Sequence, residues 1–254
     1  MEWLRRSRRA EVTLSIILPS YNTADTLRSQ LPGFLSWLTA KGITHEVIVV
    51  DDGSEDNGAT AKAAAENGCI FIRLDRNQGK GAAVRAGMLA ATGDFRVFTD
   101  ADIPFEFDAV ERVLHYLREK EFDVVIGDRR LPESRYFSKI KGARKMGSVI
   151  FTFLVGRFVT TGLFDTQCGM KGFSAKVAAD LFSHARLNGF AFDVEVLYIA
   201  LKRNYDIKRL PVVFRSNHEE SSASLLKHAP GMLVDLFRIK WNHVCGVYAP
   251  GQNE

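Results

Sequence analysis

The chain has 254 residues, 46% hydrophobic and 25% charged, with 34 Lys and Arg against 30 Asp and Glu and a formal net charge of +4. This composition excludes a disordered or fibrous chain, and the length suffices to bury one large core without staples. Cys69, Cys168 and Cys245 form no C-x-x-C pair and read as reduced thiols, which excludes a disulfide framework or a zinc site.

Residues 1–12 form a basic segment with four arginines and no apolar stretch behind it, so no secretory signal is expected. From residue 13 onward, apolar runs alternate with helical patterns. Leu14–Leu18, Glu46–Val50, Ile70–Leu74, Phe95–Thr99 and Val124–Gly127 read as strands: each is short, rich in β-branched or aromatic residues, and ends at Asp, Pro or Gly. Asp25–Thr39, Asn57–Glu66, Gly81–Ala91 and Phe107–Lys120 read as the intervening helices. That alternation predicts βαβ units in a mostly parallel central sheet with helices on both faces. Farther on, the pattern predicts a helix over Gly142–Thr160, helices near Ala175–Phe182 and Asp193–Arg203, and a strand at Lys208–Phe214. An amphipathic helix is expected around Pro230–Trp241. The expected organisation is one α/β domain over 13–215 and a C-terminal extension over 216–254.

In such sheets ligands bind at the carboxyl ends of the strands. The residues there are Pro19-Ser20-Tyr21-Asn22, Asp51-Asp52-Gly53-Ser54, Asp100-Ala101-Asp102 and Asp128-Arg129-Arg130. Asp100 and Asp102 are hard oxygen donors two residues apart, suited to Mg²⁺ or Mn²⁺ shared with substrate phosphates. A D-x-D pair alone is also common in turns and caps. Three further polar strand ends on the same edge favour the metal reading. Asp52 suits a nucleobase N–H or a ribose hydroxyl, while Asp-Gly-Ser is also turn chemistry, with Ser54 a possible helix cap. Gly79-Lys80-Gly81 lacks the third glycine of a dinucleotide fingerprint, since Val84 stands there, and reads as a tight turn opening a helix; Arg76 to Lys80 lie within reach of a diphosphate. Between Asp128 and Lys145, seven basic residues (Arg129, Arg130, Arg135, Lys139, Lys141, Arg144, Lys145) face only Asp128 and Glu133. The segment suits phosphate groups, or is a solvated basic loop.

Taken in order, these blocks, with Asn77-Gln78-Gly79-Lys80-Gly81, Gly127-Asp128-Arg129 and Asp165-Thr166-Gln167-Cys168-Gly169, resemble the family 2 inverting glycosyltransferases of the GT-A fold. Asp165–Gly169 with Phe192-Asp193-Val194-Glu195 is similar, more narrowly, to the polyprenyl-phosphate branch, the dolichyl-phosphate glucosyl- and mannosyltransferases. The resemblance covers roughly residues 13–215. It implies donor contacts at Pro19, Tyr21, Val50, Asp52, Lys80, Asp100 and Ala101, with Val50 packing on the base. It implies a metal at Asp100 and Asp102, and phosphate contacts at Arg129, Arg144 and Arg215. Asp102, Asp165 and Arg129 are the expected catalytic set, Asp165 being either an acceptor-orienting carboxylate or a structural turn acid. Asp193 and Glu195 read equally as a hydrogen-bonded helix start. Thr23 follows Asn22 where members often carry Glu, and Pro104 stands where the mannosyl branch often has a glutamine.

The implied reaction is inverting transfer of a hexose from UDP-glucose, or secondarily GDP-mannose, to a polyprenyl phosphate. Such an acceptor is already an anion and needs no general base. A saccharide hydroxyl acceptor, or a catalytically idle nucleotide-sugar-binding module, are the alternatives. Nucleic acid is excluded as a partner, because the carboxylate-rich edge repels a phosphate backbone. The longest apolar run, Val149–Val155, falls far short of the ~18–20 residues of a membrane span. The apolar stretch Gly147–Phe164 reads as a core helix or a lipid-facing one. In the tail, Met232, Leu233, Leu236, Phe237 and Trp241 interleave with Lys227, Arg238 and Lys240, which suits an interfacial helix or packing on the domain. The expected location is cytoplasmic, peripheral at the cytoplasmic face of a membrane.

Overall fold

The computed structural model describes residues 14–135, 155–156, 160, 162–163, 165–215 and 222–249, with the backbone alone for 222–230 and 233. In chain order the elements are β1 (Leu14–Ser20), α1 (Ala24–Ala40), β2 (His45–Asp51), α2 (Ala59–Glu66), β3 (Ile70–Arg73), α3 (Lys80–Ala90), β4 (Phe95–Thr99), α4 (Asp108–Arg118) and β5 (Val124–Asp128). Then come β6 (Met170–Ser174), α5 (Ala175–His184), α6 (Phe192–Lys202), β7 (Ile207–Pro211) and α7 (Ser222–Val244).

The strands form one sheet in the order β3-β2-β1-β4-β6-β5-β7. Its first four strands are parallel. From β1 the chain steps outward to β2 and β3, then crosses to β4 on the other side. The carboxyl ends of β1 and β4 therefore border the crevice where the winding reverses, the place such sheets bind ligands.

Both sheet faces are covered, which is why the strands read as apolar runs. Ile17, Ile48, Val50, Phe98, Val124 and Ile126 point into one core with α3, α5 and α6. Their neighbours Ile16, Leu18, Val47, Val49, Val97 and Val125 point into the other, with α1 and α4. The two-residue strand period assigns them. In α1 the residues Leu27, Leu31, Phe34 and Leu38 recur at helical spacing and are fully buried, each contributing about 1.5–3 kcal/mol by leaving water.

The structure departs from the sequence pattern in three places. The pattern predicts no strand between β5 and Lys208; the structure inserts β6, antiparallel to both β4 and β5. The last strand stops at Pro211, and Val213 and Phe214 make only isolated bridges to Arg135 and Phe105. The C-terminal helix starts eight residues before Pro230 rather than at it. Most of the expected helix Gly142–Thr160, with Arg144, Lys139, Lys141, Lys145 and most of the stretch 147–164, lies outside the described residues.

Candidate active site

At the carboxyl edge of β1, β2 and β4 a cavity of about 520 Å³ opens, lined by Pro19, Tyr21, Asp52, Asn77, Lys80 and Asp100 from the sheet side. Phe190, Met232 and Asp235 close it from the α6 and α7 side. Asn22 ties two of the strand-end loops together. Its N–H donates to Ser54 Oγ at 2.7 Å, and its side-chain oxygen accepts from the Glu55 N–H at 2.9 Å.

Asp51 and Asp52 divide the work at the end of β2. Asp51 is fully buried and accepts from Arg73 Nη1 at 2.6 Å and from the Ser54 N–H at 3.0 Å, so it holds the turn. Ser54 serves that turn and is not the cap of α2, where the carboxylate of Asp56 accepts from the Thr60 N–H at 2.9 Å. Asp52 faces the cavity and accepts the N–H groups of Gln78 (2.7 Å) and Gly79 (2.8 Å). It thereby fixes the loop that delivers Lys80.

The Lys80 ammonium lies 2.5 Å from Asp100 Oδ1. Burial alone would pull this lysine down, but the carboxylates of Asp100, Asp193 and Asp102 outweigh it and raise the pKa, so the ammonium stays charged. The backbone N–H groups at the start of α3 are engaged elsewhere. Those of Gly81 and Ala82 donate to the Asn188 carbonyl at 2.7 and 3.3 Å, so the Lys80 ammonium is the cation this loop presents at the cavity.

Asp100 and Asp102 present two hard oxygen donors, and Asp100 already holds a cation in the Lys80 ammonium. This donor set fits Mg²⁺ or Mn²⁺, which take one or two carboxylates and complete their shell with water and phosphate oxygens. Among the described residues, no group of three or more His, Cys, Asp or Glu is placed to hold a metal without substrate.

Arg129 and Asp165, neither of which lines the cavity, form a two-armed pair. Arg129 Nη2 lies 2.7 Å from Oδ1, Nε lies 3.0 Å from Oδ2, and the Arg129 N–H donates to Oδ2 at 2.6 Å. Burial would raise the Asp165 pKa, but Arg129 overrides it and holds the carboxyl below its usual range. Asp165 is therefore a poor proton acceptor and a firm anchor for the guanidinium. Asp128 is anchored in turn by Arg209 at 2.6 Å.

The structure does not bring every expected residue to the cavity. Val50 is fully buried in the core instead of facing a base, and Ala101 packs in the opposite core. Arg215 donates to Gln30 at 3.0 Å and stacks 4.6 Å over Phe107, away from the cavity wall. The Cys168 thiol is pushed up to about 12 by burial and is an inert core group.

Sequence reasoning missed two features. Lys171 is fully buried, 2.5 Å from Asp193 Oδ1 and 2.9 Å from the Cys168 carbonyl, and packs 5.2 Å from the Phe98 ring. Burial raises the Asp193 pKa, with Lys171 and Lys80 opposing the rise. The α7 wall of the cavity, Met232 and Asp235, was also invisible, because a position on a long amphipathic helix carries no mark of what it faces.

Comparison with known proteins agrees with the sequence resemblance. Residues 15–182 match the profile of glycosyl transferase family 2. A dolichyl-phosphate beta-glucosyltransferase of Dictyostelium discoideum is 30% identical over 253 residues, 93% of this chain and 76% of the relative. One from Drosophila melanogaster is 38% identical over 203 residues, 74% of this chain and 62% of the relative. In fold, the chain is similar to glucosyl-3-phosphoglycerate synthase from Mycobacterium tuberculosis, crystallised with Mn²⁺, UDP and glucosyl-3-phosphoglycerate. The TM-score is 0.65 at 20% identity, over 89% of this chain and 79% of that one.

Proposed function

Because the chain belongs to glycosyl transferase family 2, we propose that it transfers glucose from UDP-glucose to the phosphate of a polyprenyl phosphate, with inversion at the sugar carbon. One observation carries the acceptor class. The motif carboxylates that might have served as a general base are each committed: Asp165 to Arg129, Asp193 to Lys171, and Glu195 to two backbone N–H groups and Tyr248. A sugar hydroxyl needs a base to attack the donor; a phosphate oxygen does not. The polyprenyl-phosphate acceptor and the glucose follow the relatives' names, and the UDP donor follows the nucleotide bound by the structural neighbour.

In this reading Asp52 sets the loop around the nucleoside, Tyr21 and Pro19 border the base, and Lys80 meets the diphosphate. Arg129, held in place by Asp165, is the acceptor-side cation. The acceptor phosphate oxygen forms a bond to C1 as the bond from C1 to the β-phosphate oxygen breaks, and UDP departs with that electron pair. Approach from the opposite face inverts the centre. A divalent cation held by Asp100 and Asp102 supplies charge neutralisation at the diphosphate when bound. The protein's own contribution is positioning and fixed positive charge.

The acceptor implies contact with a bilayer surface. Among the described residues no helix is long and apolar enough to cross one. However, α7 carries an exposed apolar stripe at helical spacing, with Val234 at 52%, Phe237 at 78%, Trp241 at 69% and Val244 at 79% exposure. Arg238 and Lys240 flank it, which suits an anionic lipid surface. Of the expected interfacial set, Met232 instead turns inward to the cavity, and the side chains of Leu233 and Lys227 lie outside the described residues.

The test is transfer of labelled sugar by the purified chain in Mg²⁺ or Mn²⁺, with UDP-glucose or GDP-mannose, with and without a short polyprenyl phosphate. Lipid-dependent label from UDP-glucose in the organic phase supports the proposal. Label from GDP-mannose alone overturns the donor, and label reaching only a saccharide overturns the acceptor. Nucleotide binding without any turnover makes the chain a binding module.

A further inference from the structure

Building on the nucleotide-sugar reading above, we infer that Tyr248, far outside the matched family region, is a positioning residue for Lys80, acting through Glu195 and the backbone of residues 186–188. The contacts run unbroken. The Tyr248 hydroxyl, in a side chain 5% exposed, donates to Glu195 Oε1 at 2.5 Å. Glu195 is fully buried, and its other oxygen accepts the N–H groups of Arg186 (2.9 Å) and Leu187 (2.7 Å).

The next residue, Asn188, grips the start of α3. Its carbonyl accepts from Gly81 and Ala82, and its side-chain oxygen accepts from Arg85 Nη2 at 2.7 Å one turn on. The fit on either side of Lys80 is tight. A Cβ at Gly79 would lie 2.5 Å from the Asn188 carbonyl oxygen, and one at Gly81 would lie 2.6 Å from Phe192 Cβ. Glycine is required at both positions because this loop rests directly on them. Lys80 is thus held from two sides by a loop whose own position depends on one buried carboxylate.

That carboxylate has three donors, and Tyr248 supplies one of them. Burial leaves it no water to bond, so each donor matters to holding it in place. The Tyr248 ring also packs on Tyr198, and its carbonyl accepts from Arg203 at 3.2 Å. Replacing Tyr248 by Phe keeps those contacts and removes only the hydroxyl, which also accepts from Asn242 at 3.1 Å. Tyr205, whose hydroxyl donates to Asp180 at 2.7 Å, is the comparison for a merely structural hydroxyl.

The experiment compares amide hydrogen exchange at Gly81 and Ala82, and UDP affinity in Mg²⁺ by calorimetry, in the full chain, Y248F and Y205F. The expected result is about tenfold faster exchange at Gly81 and Ala82 in Y248F alone. The UDP Kd rises about three- to tenfold in Y248F and stays at the wild-type value in Y205F. Unchanged exchange at Gly81 and Ala82 in Y248F overturns the inference. Should the wild type not bind UDP, the donor reading fails, and the exchange arm still decides whether Tyr248 sets the Lys80 loop. Should Y248F not fold, E195Q and E195D replace it. Gln keeps the length, its oxygen accepting the two N–H groups and its amide N–H donating to the Tyr248 hydroxyl, whereas Asp keeps only the charge. Wild-type exchange in E195Q with faster exchange in E195D supports the chain of contacts; the reverse order overturns it.

Discussion

The backbone of Gly169 rests directly on the carboxylate of Asp100: a Cβ at Gly169 would lie 2.2 Å from Asp100 Oδ2. The contact follows from the sheet, because Thr99 of β4 pairs with Met170 of β6 and so places their preceding and following residues side by side. Gly169→Ala must therefore displace the Asp100 carboxylate from Lys80 and, on the proposed reading, from the metal. Transfer is expected to fall about 10²-fold, the size of effect an ~1 Å misplacement produces. The overpacking itself is cheap, because the clashing atoms are the end of a side chain that is more than a third exposed, so the fold should survive. Steady-state rates alongside a thermal melt separate the two effects, and a G169A enzyme with wild-type turnover would show that Asp100 has no catalytic position to lose.

The proposed metal dependence rests on the donor set at the end of β4, Asp100 and Asp102. An ion held by these two carboxylates would need substrate phosphates to complete its shell, so the proposal predicts mutual binding of metal and nucleotide. EDTA should abolish transfer, with recovery in Mg²⁺ or Mn²⁺. Asp102→Asn should lower transfer by about 10²–10³-fold, as loss of a preorganised charge does. UDP titrations with and without Mg²⁺ check the coupling: the metal should tighten UDP binding in the wild type and not in D102N.

Much of this was legible in the residues, for identifiable reasons. The parallel half of the sheet announces itself because β1, β2 and β4 are covered on both faces and carry short apolar runs. The strand-end aspartates stand out because polar residues abruptly follow those runs. By contrast β6, Met-Lys-Gly-Phe-Ser, holds a lysine and a glycine within five residues and matches neither alternation nor an apolar run. Lys171 looks like a solvent residue until the fold seals it against Asp193. The placement of Arg215 could not be read either, since it lies beyond the end of β7, where no strand period fixes the direction of its side chain. Pro230 misled because proline favours a first helical turn, whereas α7 runs through it.

The Arg129–Asp165 pair makes an acid-dependent contribution to stability. The folded Asp165 carboxyl titrates below its ordinary value of 3.8, so its contribution is fully present above that pH. The contribution is lost as pH falls through the lowered folded value. Asp165→Asn leaves the guanidinium without its carboxylate and should cost about 3–5 kcal/mol at neutral pH. Urea midpoints measured from pH 7 down to pH 2 check the sign: the gap between wild type and D165N should narrow only below pH 3.8. Arg129→Lys keeps the charge but loses the two-armed geometry. It should lower transfer more than it weakens UDP binding, and equal losses would move Arg129 to the donor side.

The two faces of α7 make separate demands, and a pair of substitutions can tell them apart. Met232 and Ile239 are buried toward the domain, and Met232 and Asp235 wall the cavity, so this face is tied to the nucleotide site. Phe237 and Trp241 sit on the opposite face, about three-quarters exposed among the described residues. Moving one such ring out of water is worth about 1.5–3 kcal/mol, so the F237D/W241D variant should lose vesicle binding by at least about tenfold. Flotation with vesicles containing anionic lipid reads that loss, and added salt should weaken the wild-type interaction through Arg238 and Lys240. Transfer to a short, water-soluble polyprenyl phosphate should persist in the same variant, because neither ring touches the cavity. If vesicle binding survives while the wild-type mass in solution is twice that of the variant, the stripe is an interface between two copies of the chain. A parallel fall in both vesicle binding and soluble transfer would mean instead that the outer face of α7 supports the cavity wall.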